Sequence, residues 1–253
     1  MPLKDRVALV TGASRGIGAV TAEVLAQRGA KVALSARTVG DLEQVAGTIR
    51  SAGGQALVVP CDVLDQGQVE PMVKRVVDTW GRLDVLVNNA GFGTPTRPVE
   101  TINPADWDQT IALNLKSVFL CVRAAVPIMK AQKYGRIVNV SSFAGRNFSL
   151  ISGPQYSAAK AGVLALTRHM AVELGPFGIY SNSVAPSIAL TARVKAKWEA
   201  RPADEQARVL SAIPLRRLAQ PVEVATVIAF LASDDASYVN GVCIDVNGGS
   251  YMV

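Results

Sequence analysis

The chain has 253 residues, about the size of one large α/β domain, so we expect a single domain over residues 1–253. Hydrophobic residues make up 49% and charged residues 18%, and no segment has the composition of a linker or a disordered tail. The net charge is +6, but the basic residues are scattered and are not interleaved with aromatic ones. This distribution argues against a nucleic-acid-binding protein.

The three cysteines, Cys61, Cys121 and Cys243, lie far apart and form no CxxC or Cys/His pattern. We therefore expect reduced thiols, no disulfide and no metal site. The apolar run before Thr11 is shorter than the roughly 7–15 residues of a signal-peptide core. The most apolar longer stretch, 117–129, contains an arginine and a proline and falls short of the roughly 18 residues of a membrane span. We expect a cytoplasmic protein that does not enter a membrane.

Short β-branched runs alternate with amphipathic stretches along the whole chain. The predicted strands are, in chain order, 7–10, 31–34, 56–59, 85–87, 136–140, 179–184 and 242–246. The predicted helices lie near 16–28, 39–52, 66–79, 104–130, 155–174 and 221–232. This alternation predicts a single-domain α/β protein with a Rossmann-type doubly wound fold and a seven-stranded parallel sheet. Such sheets bind ligands outside the carboxyl ends of their strands.

A glycine-rich turn over 11–18 lies between the first predicted strand and the first predicted helix. Glycines there permit a sharp turn and the close approach of a pyrophosphate, and the helix N-terminus offers free N–H groups to phosphates. The spacing is GxxxGxG, and a glycine cluster alone could be a structural turn; the flanking strand and helix favour a dinucleotide site. The predicted cofactor residues in this turn are Gly12, Ser14, Arg15, Gly16, Ile17 and Gly18.

Cofactor choice depends on the end of the second predicted strand. An acid there would bind the ribose 2′-hydroxyl of NAD, whereas an arginine suits the 2′-phosphate of NADP. This chain has Arg37 and no carboxylate at that position, and Arg15 could complete a clamp on the phosphate. The sequence therefore favours NADP(H), although both arginines could instead be solvated.

Polar and small residues follow the third and fourth predicted strands. Asp62 and Val63 follow the third, and Asn88, Ala90 and Gly91 follow the fourth. Because both groups fall at carboxyl strand ends, we expect them beside the adenosine of the cofactor. The alternative is ordinary structure, because aspartate caps helices and an NxxG segment forms turns.

Tyr156 and Lys160 are spaced as YxxxK within a predicted helix, so they share one face, one turn apart. A tyrosine with its unperturbed pKa of about 10 transfers protons poorly near neutrality, but a nearby cation lowers that pKa. The pair is therefore predicted to exchange a proton with a carbonyl or alcohol. Alone, Tyr156 could also be a core residue.

With these motifs in place, the whole chain resembles the short-chain dehydrogenase/reductase family, in the subgroup of 3-oxoacyl-acyl-carrier-protein reductases and related ketoreductases. The motifs that carry the resemblance are TGASRGIG at 11–18, CDV at 61–63, NNAG at 88–91, Asn114, VSS at 140–142, YSAAK at 156–160 and VNGG at 246–249. They occur in the family's order.

The resemblance implies a role for each catalytic residue. Ser142 would hydrogen-bond the substrate oxygen, and Tyr156 would exchange its proton. Lys160 would hold the nicotinamide ribose and acidify Tyr156, and Asn114 would hold a water that relays protons to Lys160. Fixed donors and a proton source are what a developing oxyanion requires.

The chain departs from the family pattern after the sixth predicted strand. Ser187 stands where the family usually has glycine, whereas Thr191 keeps its position; Pro186, Ile188 and Thr191 are implied to contact the nicotinamide. The segment 175–178 lacks the basic residue that acyl-carrier reductases tend to carry there, which weakens a carrier-protein substrate.

Two segments are expected to form the substrate pocket: a loop at 143–155 and a lid at 188–214. Apolar residues in or near the loop predict a mostly apolar wall; they are Phe92, Phe143, Phe148, Leu150 and Ile151. The lid carries four cations, which could receive the phosphates of a coenzyme A or acyl-carrier thioester or could form a solvated face; they are Arg193, Lys195, Lys197 and Arg201.

The function favoured by these observations is NADPH-dependent reduction of a ketone, either a 3-oxoacyl thioester or another apolar ketone. The alternative enzyme is a sugar, polyol or steroid alcohol dehydrogenase of the same family. A non-catalytic NADP-binding regulatory protein would be free to lose Tyr156, Lys160 or Ser142, all of which are present. The resemblance also implies a homotetramer.

Overall fold

A computed structural model describes residues 3–149 and 151–252 of the chain. Its strands are β1 (Val7–Thr11), β2 (Lys31–Ser35), β3 (Gln55–Val58), β4 (Val85–Asn88), β5 (Gly135–Val140), β6 (Ile179–Pro186) and β7 (Cys243–Val246). Its helices are α1 (Gly16–Gln27), α2 (Val39–Ser51), α3 (Gln66–Trp80), α4 (Pro104–Ile111), α5 (Ser117–Gln132), α6 (Pro154–Leu174), α7 (Ala192–Glu199), α8 (Ala203–Ser211) and α9 (Pro221–Leu231). The predicted elements are present within a few residues of their expected bounds.

All seven strands form one parallel sheet in the order β3-β2-β1-β4-β5-β6-β7. The direction of winding reverses between β1 and β4, which pair with Ala8 opposite Val85. The predicted Rossmann-type doubly wound α/β fold is thus confirmed. The reversal opens a crevice at the carboxyl ends of these strands, where the glycine turn and the NNAG segment meet.

The core consists of two apolar layers, one on each face of the sheet. Residues of α1, α2 and α9 pack on one face, and residues of α3, α5 and α6 pack on the other. Strands β1, β4 and β5 are buried along their whole length, which explains their nearly continuous apolar sequences. This rigid centre fixes the positions of the strand ends that carry the site.

Three features differ from the sequence-based expectations. The region predicted as one helix near 104–130 is helical over 104–132, but residues Ala112–Lys116 form a π-helical turn between α4 and α5. This segment is long and apolar enough to cross a membrane by length and composition alone, a test that core helices of soluble proteins also pass. Here it packs against α3 and the sheet. The lid region contains two helices, α7 and α8, that the apolar periodicity did not predict.

Candidate active site

The glycine turn has a shape that side chains would destroy. Gly12 has a φ of +64°, and a Cβ there would lie 2.8 Å from Asn89 Nδ2. A Cβ on Gly18 would collide with the carbonyl oxygen of Gly12. Helix α1 begins here after Arg15, which makes no side-chain cap, and its first turn contains no acidic residue. Uncapped N–H groups at this end suit a phosphate.

Thr11 and Asn89 hold this turn against β4, a role that the sequence analysis missed. Asn89 Nδ2 donates to the carbonyl oxygens of Thr11, at 2.9 Å, and Gly12, at 3.1 Å. The Thr11 hydroxyl oxygen accepts from the backbone N–H groups of Asn89 and Ala90 at 3.0 and 3.1 Å. The second asparagine of the NNAG motif was the available signal. These bonds fix the distance between the two segments that line the cofactor crevice.

The arginines predicted to bind a 2′-phosphate are both exposed. Within the described residues, neither Arg15 nor Arg37 has a recorded ion pair or side-chain hydrogen bond. After β3, Asp62 uses Oδ1 to accept from the backbone N–H of Leu64 at 3.0 Å and is half-buried, and Val63 is buried beside it. The open glycine cradle and the uncapped helix end fit the pyrophosphate of a nicotinamide dinucleotide, and Arg15 and Arg37 lie exposed beside them.

The side chain of Asn88 faces the interior of the sheet. It is 3% exposed and donates to Asn139 Oδ1 at 2.8 Å, and Asn139 in turn donates to Thr167 Oγ1 at 2.9 Å. This buried chain joins β4, β5 and α6. We therefore expect only the backbone of Asn88 to contact the cofactor, because its side-chain Nδ2 is hydrogen-bonded to Asn139. Ala90 and Gly91 follow the end of β4, and their contact with the cofactor stays a prediction.

Three of the predicted catalytic residues come together from two elements. Ser142 follows β5, and Tyr156 and Lys160 lie one turn apart on α6. The side chain of Ser142 lies close enough to the Tyr156 hydroxyl to lower its pKa, and Lys160 Nζ lies 5.7 Å from the centroid of the Tyr156 ring. Lys160 Nζ donates to the backbone oxygen of Val140 at 2.8 Å. One serine, one tyrosine and one lysine thus meet at the carboxyl end of β5.

Burial has the largest effect on the pKa values of Tyr156 and Lys160. Loss of solvation raises the pKa of Tyr156 above its ordinary value, and the nearby side chain of Ser142 acts in the opposite direction. Burial lowers the pKa of Lys160 to about 8. From the sequence we expected Lys160 to lower the pKa of Tyr156. In this structure the contribution that lowers the pKa of Tyr156 comes from Ser142.

Asn114 sits in the π-helical turn and is fully buried. Its Nδ2 donates to Thr110 O at 3.0 Å and to Phe92 O at 3.4 Å, whereas its Oδ1 has no hydrogen-bond partner in the part of the chain that the structure describes. A Cβ on Gly91 would lie 2.5 Å from this oxygen and 3.5 Å from Lys160 Nζ. The asparagine oxygen and the lysine ammonium therefore flank Gly91, which agrees with the relay role implied for Asn114.

The start of the lid closes over the glycine turn. The methyl group of Thr191 lies 3.3 Å from the point where a Cβ on Gly16 would stand. Ser187 donates its N–H to Val246 O at 3.1 Å, so the backbone continues the pairing of β6 with β7. Ser187 is not among the residues with positive φ, and serine is accommodated where the family has glycine. Pro186 is buried at the end of β6, and Ile188 is half-buried after it.

The substrate loop is more polar and more open than expected. Phe148 is 75% exposed and Ile151 is 47% exposed, and Leu150 lies outside the described residues. The loop is tied to β7 and to the C-terminal segment instead: Arg146 donates to both oxygens of Asp245 at 3.2 and 3.0 Å. The ring of Phe143 meets that of Tyr251 edge-on at 6.4 Å. Phe92 lines a small cavity, and the contribution of the loop residues to an apolar wall stays a prediction.

Two of the four lid cations have ionic partners. Lys195 pairs with Glu199 at 3.8 Å and Arg201 with Glu205 at 3.7 Å. Arg193 and Lys197 are exposed. Among the described residues, no group of histidine, cysteine and carboxylate side chains is arranged to hold a metal ion.

Several known proteins are similar to this chain in sequence. A family model described as enoyl-(acyl carrier protein) reductase matches residues 12–251. The chain is 45% identical to the cis-4-hydroxycyclohexanecarboxylate dehydrogenase of Sinomonas cyclohexanicum, over 97% of this chain and 96% of that protein. It is 41% identical to a 3-oxoacyl-(acyl-carrier-protein) reductase of Synechocystis sp., over 99% of this chain and 98% of that protein.

Solved structures give the same result. Levodione reductase is 35% identical, with a TM-score of 0.92 and coverage of 98% of both chains. A 3-oxoacyl-(acyl-carrier-protein) reductase from Brucella melitensis with bound NAD is 34% identical, with a TM-score of 0.90 and coverage of 100% of this chain and 93% of that one. The similarity thus extends over the whole chain and includes both dehydrogenases and reductases.

Proposed function

Because the chain belongs to the short-chain dehydrogenase/reductase family of nicotinamide-dependent oxidoreductases, we propose that it reduces a ketone to a secondary alcohol with NADPH. The observation that carries this proposal is the convergence of Ser142, Tyr156 and Lys160 at the end of β5, beside the crevice between β1 and β4. A serine and a tyrosine close to each other and next to a buried lysine supply donors for a developing oxyanion and a proton for it.

The glycine turn and two arginines hold the cofactor in this proposal. The turn at Gly12 and Gly18 admits the pyrophosphate to the N-terminus of α1, and Arg15 and Arg37 receive the 2′-phosphate. When bound, NADPH supplies the hydride. The lack of a recorded partner for either arginine among the described residues supports NADP(H) over NAD.

The protein's own groups handle the proton. Ser142 hydrogen-bonds the substrate oxygen and orients the carbonyl, and Tyr156 transfers its proton to that oxygen. Lys160 holds the nicotinamide ribose and returns a proton to Tyr156. The Asn114 oxygen, which has no partner among the described residues, would accept from a water that passes a proton from solvent to Lys160. Ser142 is positioned by the end of β5, and Tyr156 and Lys160 by α6, so little reorganisation is needed during reaction.

Two substrate classes follow from the relatives. A 3-oxoacyl thioester is the class named for one relative, and a ring alcohol or ketone is the class named for the other. Arg193 and Lys197 could receive the phosphates of a coenzyme A or carrier-protein thioester. A sugar, polyol or steroid alcohol dehydrogenase is the alternative, and the small volume of the cavity beside Thr94 and Gln155, about 190 Å³, argues against a long acyl chain.

The test is NADPH consumption by the purified protein with a short 3-oxoacyl thioester and with a bulky aryl ketone. Tyr156→Phe should lower turnover by roughly 10²–10⁴-fold, because it removes the proton donor, and should leave NADPH binding nearly intact. Tyr238→Phe is the matched control, since Tyr238 is fully exposed. Turnover that survives Tyr156→Phe would remove the tyrosine from this role. Binding of NADPH without turnover of any ketone or alcohol would support a regulatory protein instead.

We further propose a homotetramer in the cytoplasm. Strand β7 is the outer strand of the sheet, and near it Val172 and Val242 are 81% and 37% exposed. Exposed apolar groups around an open strand edge are typical of an interface. A monomeric mass in analytical ultracentrifugation would exclude the tetramer.

A further inference from the structure

A small cavity lies between the loop at 92–97 and residues of α4 and α6. Its volume is about 190 Å³, and its walls include Phe92, Thr94, Arg97, Asp106, Gln109 and Gln155. The loop that carries Phe92 and Thr94 passes close to the reacting group, because a Cβ on Gly93 would lie 4.0 Å from Tyr156 Cζ. Gln155 directly precedes Tyr156 on α6. This cavity is smaller than the roughly 300–1,000 Å³ of common ligand pockets, so it has room for only part of a small substrate.

Two polar groups in this cavity lining have no partner. Thr94 Oγ1 and Gln155 Oε1 are buried and make no hydrogen bond in the described part of the protein. Gln155 is only 4% exposed. Its position is well defined, since the backbone N–H of Gly153 bonds to Thr94 O at 2.9 Å and joins the two walls. Folded proteins retain few such groups, because an unsatisfied buried polar atom is destabilising.

The charges around the cavity favour a neutral ligand group. Arg97 faces Asp106 at 4.0 Å, and both side chains are 58% exposed, so the cation has a compensating anion beside it. A carboxylate ligand would meet the negative charge of Asp106 and would leave Gln155 Oε1 without a donor. A hydroxyl group satisfies both unpartnered atoms, because it donates to Gln155 Oε1 and accepts from the Thr94 hydroxyl.

We propose that Gln155 and Thr94 form a hydroxyl-binding subsite and that the substrate is a compact neutral hydroxyketone. This inference rests on the proposed ketone reduction and replaces the apolar ketone expected from the sequence with a more polar one. A site that hydrogen-bonds a substrate hydroxyl rejects the analogue that lacks it, because its own polar groups are then left unpaired. Gln155 and Thr94 thus determine specificity, whereas Tyr156 performs the proton transfer.

The experiment compares NADPH-dependent reduction of 4-hydroxycyclohexanone, cyclohexanone and 4-oxocyclohexanecarboxylate. For the unmodified protein, kcat/KM for the hydroxyketone should exceed that for cyclohexanone by at least about tenfold, mainly through KM. In Gln155→Met the ratio should fall to about one, and in Gln155→Glu, which keeps an acceptor oxygen, the preference should persist. Gln44→Met, an exposed position on α2, is the matched control and should leave the ratio unchanged.

Several results would overturn the subsite. They are a ratio near one in the unmodified protein, a preference that survives Gln155→Met, or a preference for the carboxylate over the hydroxyketone. Reduction of cyclohexanone reports on the proposed function separately, because it does not need the subsite. If no ketone is reduced, a ligand-observed NMR titration with 1,4-cyclohexanediol and cyclohexanol decides the question. The diol should bind at least about tenfold more tightly than the mono-alcohol, and equal binding would exclude the subsite.

Discussion

The ammonium group of Lys160 donates a 2.8 Å hydrogen bond to the backbone oxygen of Val140, the last residue of β5. The lysine is 4% exposed, and burial lowers its pKa to about 8. A neutral carbonyl is a weaker partner for a cation than a carboxylate, so the lysine titrates closer to neutrality than a surface lysine does. The group implied to hold the cofactor ribose is therefore also a group whose charge is costly in the folded protein.

The pH dependence of the free energy of unfolding should reveal the unfavourable charge of Lys160. Between the folded pKa of about 8 and the ordinary lysine value of 10.5, the unfolded chain binds a proton that the folded protein does not. The contribution of Lys160 to the free energy of unfolding should therefore rise with pH in that window, by on the order of 1 kcal/mol per pH unit. Urea denaturation of the unmodified protein and Lys160→Met at pH 7.5, 8.5 and 9.5, roughly spanning this window, measures the difference. A constant difference would contradict the lowered pKa.

Gly18 should tolerate no side chain. A Cβ there would strike the Gly12 carbonyl and the Asn89 amide, so Gly18→Ala should destabilise the protein by about 1–3 kcal/mol and weaken NADPH binding. Gly47→Ala is the matched control: nothing lies within 4 Å of its Cβ position on α2, and alanine should stabilise this helix by up to about 1 kcal/mol. Urea midpoints and a fluorescence titration with NADPH measure both effects. Equal behaviour of the two variants would show that the turn is not closely packed.

Arg37 should select the phosphorylated cofactor. Its side chain is exposed at the end of β2, so Arg37→Ala should weaken NADPH binding by roughly tenfold while NADH binding changes little. Arg75→Ala, at an exposed position on α3, removes the same charge away from the crevice and serves as the control. An equal loss for both cofactors, or an effect of the same size in Arg75→Ala, would remove Arg37 from this role.

The bond between Arg146 and Asp245 should anchor the substrate loop. Both side chains are largely buried, with exposed fractions of 20% and 18%, and the contact involves two hydrogen bonds. Arg146→Met and Asp245→Asn should each raise KM, because the loop that follows Ser142 loses its tie to β7. Their combined effect on stability should be smaller than the sum, with a coupling of about 0.5–3 kcal/mol. Strict additivity in urea denaturation would show that the pair is not coupled.

The sequence was sufficient for the fold because local pattern and global architecture agree in this chain. Alternating β-branched runs and amphipathic helices determine a parallel sheet, and the glycine turn follows its first strand. The same information located Ser142, Tyr156 and Lys160, whose spacing and residue types are informative by themselves. Helices α7 and α8 were not predicted, because they contain few strongly apolar residues and bury none of them fully.

Tertiary structure decided which way individual side chains face. Sequence placed Asn88 and Asn89 at one strand end, but only the packing of β4 against β5 turns Asn88 inward to Asn139 and leaves Asn89 to hold the glycine turn. The cavity lined by Thr94 and Gln155 also depends on tertiary structure, because these two residues are about 60 positions apart and no local pattern connects them. Periodicity along a chain reports the burial of whole faces, whereas hydrogen-bond partners and cavities depend on contacts between distant segments.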